Sequence, residues 1–172
     1  LRRSLKIILA KAEDVLLEQP ADSPLVSIAI EAVRRAGTGL SGTTLLESDL
    51  SDSEEWLILR TMALAQRLAF DRDGDIDAGE KAFAFYEALV RSRPNDIRAL
   101  GGLVAVADST GRLENAVDAQ RVLLNGATPG SDTFYERKIR FLELLSRHDA
   151  ERARKVLDQH VVLYPDYGPG QW

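Results

Sequence analysis

Apolar residues recur every three or four positions along most of the chain, and no segment sustains an alternation of apolar and polar residues. Leu5, Ile8, Leu9, Ala12, Val15 and Leu16 mark one face of a first helix that stops before Pro20. Ser23 and Pro24 read as an N-cap and a proline at the first helical position, opening a second helix to about Arg35. Residues 37–50 are rich in Gly, Ser and Thr and read as a linker. Asp52 and Ser53 precede Glu54 and Glu55, acidic residues suited to a helix N-terminus. The helix expected over 56–68 is apolar around much of its circumference, as in a deeply buried element. An acidic stretch, 71–80, is expected to separate it from a helix over 81–92. Further helices are expected over 96–109, 113–125, 132–147 and 149–163. The pattern predicts an all-α chain of seven or eight helices with no sheet.

Composition narrows this picture. The 172 residues suffice for one well-buried domain or a short solenoid, and 45% are hydrophobic, enough for burial to offset chain entropy. Aromatic residues make up 6%, which argues against a β-sandwich or barrel. The expected division is a helix pair plus linker over 1–50 and a helical array over 51–172. Net charge is -5, from 22 basic and 27 acidic residues, so phosphate backbones are repelled and no nucleic acid partner is expected. The chain has no cysteine, which removes disulfides, thiolate nucleophiles and cysteine-ligated zinc. Lys6 and Lys11 interrupt the apolar N-terminal stretch, so no membrane insertion is expected. Leu1 in place of a starting Met suggests a piece of a larger protein; a cytoplasmic location is favoured, with export if a leader was removed.

A repeat runs through the second half. Ala82, Tyr86, Leu89 and Pro94 are spaced 4, 3 and 5 apart. Ala116, Gln120 and Leu123 restate the spacing 34 residues later, with Thr128 where proline would stand, and Ala153, Leu157, His160 and Pro165 restate it after a further 37. Between the first two sets, Asn95 and Asp96 open a helix carrying Leu100, Leu103, Val104 and Ala107, followed by the turn Thr110, Gly111 and Arg112. This pattern resembles the tetratricopeptide repeat family, in which a small residue lets two helices touch and a proline ends the unit. The match is good over 81–165 and looser elsewhere. Leu100 replaces the usual tryptophan, Val104 a glycine, and Gln120 an apolar residue. Arg137 and Arg140 fall on core positions of the third unit unless the register slips by one residue.

The resemblance implies a right-handed array of antiparallel helix pairs and a non-enzymatic interaction or scaffold module that binds a protein or peptide in a groove. Carried onto the best-registered unit, the family's groove positions are Arg98, Gly101, Ala105 and Asp108. In the third unit they are Tyr135 and Lys138, or Glu136 and Ile139. The Lys/Asn set that grips chaperone C-terminal carboxylates is absent. Self-association is a further outcome, and no cofactor is expected.

The most chemically suggestive stretch is 69–80, AFDRDGDIDAGE, which resembles a degenerate EF-hand calcium loop. Its ligands would come from Asp71, Asp73, Asp75, Asp77 and Glu80. Counted from Ala69 the loop lacks its first aspartate; counted from Asp71 it is two residues short. The bland reading is an acidic connector that caps the next helix. Residues 37–44, GTGLSGTT, have the glycines of a phosphate loop but Thr43 where lysine must stand, and no strand precedes them. His148, His160 and Ser41 form no recognisable nucleophile–base set, so no enzyme activity is expected.

Overall fold

The computed structural model describes residues 2–20, 22–38 and 53–164, and every regular element among them is a helix. In chain order these are α1 (Arg2–Glu18), α2 (Pro24–Thr38), α3 (Ser53–Asp73), α4 (Ile76–Ser92), α5 (Ile97–Ser109), α6 (Leu113–Asn125), α7 (Asp132–His148) and α8 (Ala150–Leu163). The expected linker is partly absorbed, since Gly37 and Thr38 belong to α2; residues 39–50 lie outside the described residues, as does the tail beyond Tyr164. No helix among the described residues is long and apolar enough to cross a membrane.

The helices start where short polar side chains hold their first amides. Asp75, Asp96, Ser131 and Asp149 each accept from the amide three residues on, at 3.1, 2.8, 3.1 and 3.0 Å. Asp149 is shared: its own amide donates to Leu145 O and closes α7, while its carboxylate opens α8. Helices joined by one to three residues must reverse direction, so α3 with α4, α5 with α6 and α7 with α8 form antiparallel hairpins. Each second helix then seats on the first helix of the next pair, α4 on α5 and α6 on α7. First helices also touch, α1 against α3 and α3 against α5. A single core runs from Leu9 on α1 to Ala153 on α8. Ala82, Ala116 and Ala153 are all buried in it, small side chains where helices cross closely.

One expectation fails at the acidic stretch. The helix expected to end near Leu68 continues to Asp73, and the next opens at Ile76 rather than 81. The connector is therefore Gly74 and Asp75 alone. The acidic residues stay helical because arginines of the same helix neutralise them: Arg67 Nε lies 3.6 Å from Asp71 Oδ2, and Arg72 pairs with Asp73 at 2.6 Å. Gly74 ends α3 in the left-handed region at φ 68°, its amide donating to Phe70 O at 2.8 Å. What reads as the glycine of a calcium loop is a helix stop.

Candidate interaction face on the first helices

On α5, Ala99, Leu100, Gly102, Leu103, Val104, Val106 and Ala107 are buried. Arg98, Gly101, Ala105 and Asp108, spaced three, four and three apart, fall on the face left over. Arg98 is exposed, and Gly101 and Ala105 are half-buried. A Cβ added at Gly101 would meet nothing within 4 Å, so space stands open above the middle of this face. Gly102, one residue on, points to a different side, where a Cβ would collide with the ring of Tyr86 from α4. Burial pushes the Tyr86 phenol up to about 12, with Arg67 and Arg60 partly offsetting it.

Both flanks of the open patch are tied down by charge. On the α3 side, Arg67 and Asp71 occupy the positions 34 residues before Gly101 and Ala105 and pair with each other. Burial raises the Asp71 carboxyl and Arg67 tempers the rise. Further along α3, Arg60 donates from Nε and Nη2 to Glu13 Oε1 of α1, at 2.8 and 2.7 Å. That pair is buried, with side chains 17% and 11% exposed. The Arg60 guanidinium also lies 5.0 Å from the ring centroid of Trp56, which Arg93 approaches at 4.5 Å.

On the α7 side, Asp108 accepts from Arg140 Nη2 at 2.6 Å and from Arg147 Nη1. Its carboxylate is engaged by these two arginines, which join α5 to α7. In the third unit Tyr135 is buried, Glu136 is exposed, and Lys138 and Ile139 are both half-buried. Phe141, Leu144 and Leu145 fill the core, and Arg137 and Arg140 lie half-buried at its edge. The polar residue at Gln120 has a matching explanation. Gln120 Nε2 donates to Arg137 O at 2.9 Å, and Arg137 Nη1 donates back to Leu123 O. The Gln120 amide thus finds a main-chain partner on α7, and the Arg137 guanidinium a main-chain partner on α6.

The would-be calcium ligands are not brought together. Asp71 and Asp73 lie in the last turn of α3, each beside an arginine. Asp75 caps α4 and binds Arg34 of α2 at 3.1 Å, Asp77 pairs with Lys81, and Glu80 pairs with Arg112. The Ala78 amide is the main reason the Asp75 carboxyl is held below its usual range, with Arg34 adding to it; the hydrogen bond from Arg72 does the same for Asp73. Among the described residues, no three His, Cys, Asp or Glu side chains gather as a metal site would require.

Several of these contacts had no reading in the pattern. Glu13 carried a signal, because it sits between Ala12 and Leu16 on the apolar side of α1, where a charge needs a partner. The approach of Tyr86 to Gly102 carried none, since it depends on how two hairpins are staggered. No family model matches the chain, and no curated protein or solved structure matches it either.

Proposed function

We propose that this chain is a non-enzymatic interaction or scaffold module of the tetratricopeptide type, holding a peptide or a segment of another protein against its first helices. The observation that carries the reading is the contrast on α5. Space stands open above Gly101, beside the exposed Arg98, while Asp108 on the same helix and Arg67 and Asp71 on α3 are engaged in ion pairs within the protein. A patch framed by fixed ion pairs needs little ordering when a guest arrives, and that saving favours binding. Its residues suit the approach of a main chain: a glycine and an alanine leave room, and Arg98 offers a donor fork at one end. A displayed random-peptide library panned on the full chain tests this. Enriched peptides that compete with one another for one site support it, and a library that yields no binder at micromolar affinity overturns it.

A further inference from the structure

The buried Trp56 ring, in the first turn of α3, carries two guanidiniums, Arg60 at 5.0 Å and Arg93 at 4.5 Å from its centroid. They differ in what their N–H groups do. Arg60 spends its Nε and Nη2 on Glu13 of α1. Arg93, held on the same ring, forms no ion pair among the described residues. It closes α4, and the turn 93–96 leads directly into α5, where Arg98 stands exposed in the first turn, also without an ion pair among the described residues. Because α4 runs against both α3 and α5, those two helices start at the same end of the array. Arg93 and Arg98 therefore lie toward one end of the open face above Gly101. The acids along the first helices, Glu13, Asp71 and Asp108, are each held by other arginines, and Asp96 gives its carboxylate to the Ala99 amide at 2.8 Å. Glu55, Glu87 and Glu136, on α3, α4 and α7, pair with neither Arg93 nor Arg98.

We propose that the guest of this face is an acidic segment, its Asp or Glu side chains held by Arg98 and Arg93; this rests on the binding face proposed above. A carboxylate can meet an arginine fork through two parallel hydrogen bonds, which a neutral side chain cannot match. Trp56 already holds the Arg93 guanidinium in place, so less ordering is left for the moment of binding. The chain as a whole, at a net charge of -5, offers an acidic molecule no general attraction. A preference for acid therefore reports these two arginines and not the field of the whole protein.

Peptides selected from a displayed random library on the full chain test it, synthesised with amidated C-termini so that only side-chain carboxylates remain. Affinities are measured by calorimetry against wild type, Arg98→Glu and, as a charge-matched control on the exposed side of α8, Lys155→Glu. The selected peptides are expected to be rich in Asp and Glu and to lose about tenfold or more at Arg98→Glu, with no loss at Lys155→Glu. Replacing their acids by Asn and Gln is expected to weaken binding to wild type and to abolish the difference between wild type and Arg98→Glu. Arg98 is exposed, so its reversal leaves the core intact, and an unchanged melting temperature checks this. Peptides that bind without an excess of acid, that bind Arg98→Glu as well as wild type, or that bind only with a free C-terminal carboxylate overturn this inference and leave the face standing. A library that yields no binder removes the face and this inference with it.

Discussion

The ring of Tyr86 closes on the backbone of Gly102 so tightly that no Cβ fits there, while its neighbour Gly101 faces open space. Two adjacent glycines of one helix thus make opposite demands. Alanine at either position gains helix propensity, roughly 1 kcal/mol. At Gly102 it must also push the buried ring aside, which costs about 1–3 kcal/mol or more. Gly101→Ala is expected to stabilise by up to about 1 kcal/mol and Gly102→Ala to destabilise by about 2 kcal/mol or more, both read from urea unfolding.

Tyr86 adds an alkaline signature. Its phenol ionises near 10.0 in the unfolded chain and near 12 in the folded one, so the folded state retains a proton that the unfolded state gives up. Stability from this group is intact below pH 10 and declines between pH 10 and 12, by about 2–3 kcal/mol in all. Tyr86→Phe is expected to flatten that decline, in unfolding curves compared with wild type at each pH.

The Glu13–Arg60 pair joins the N-terminal hairpin to α3 and is largely buried. Glu13→Gln leaves Arg60 charged, buried and short of its partner, at an expected cost of about 3 kcal/mol. The double variant Glu13→Met with Arg60→Met removes both charges and keeps the volume. It is expected to cost less than the two single losses added together, by about 1–3 kcal/mol in a double-mutant cycle. Strict additivity would mean the pair is not coupled.

Asp108 with Arg140 and Arg147 is a weaker joint, because both arginines are about half exposed. Asp108→Asn is expected to cost about 1 kcal/mol at low salt and less at high salt, where screening already weakens the wild-type contacts. An effect independent of salt would point instead to packing around the Asp108 stem.

The helices from α5 onward were legible almost to the residue, because their first amides are held by Asp96, Ser131 and Asp149 or follow the Thr110–Gly111–Arg112 turn. The junction of α3 and α4 was not. A run of aspartates reads as a loop when charge is judged by composition, but these sit beside Arg67 and Arg72, and local pairing keeps the helix going. On the candidate face, Arg98, Gly101 and Ala105 came from the resemblance to the repeat family, carried onto the best-registered unit. The fate of Asp108 did not, since its arginines come from α7, 32 and 39 residues away, and only the packing of first helices delivers them. The oddities of Gln120 and Arg137 were visible singly, and the main-chain carbonyls that satisfy them, Arg137 O and Leu123 O, needed the register between α6 and α7.

The most direct measurement sets Gly101→Arg against wild type for a peptide selected on the full chain, with Lys155→Ala on the exposed side of α8 as control. The new side chain enters space that is empty in the folded protein, so the melting temperature should hold while the guest is displaced. At least a tenfold loss of affinity at Gly101→Arg, with no loss at Lys155→Ala, is the expected outcome. Equal affinity for all three proteins would place the guest elsewhere and contradict a binding face on the first helices.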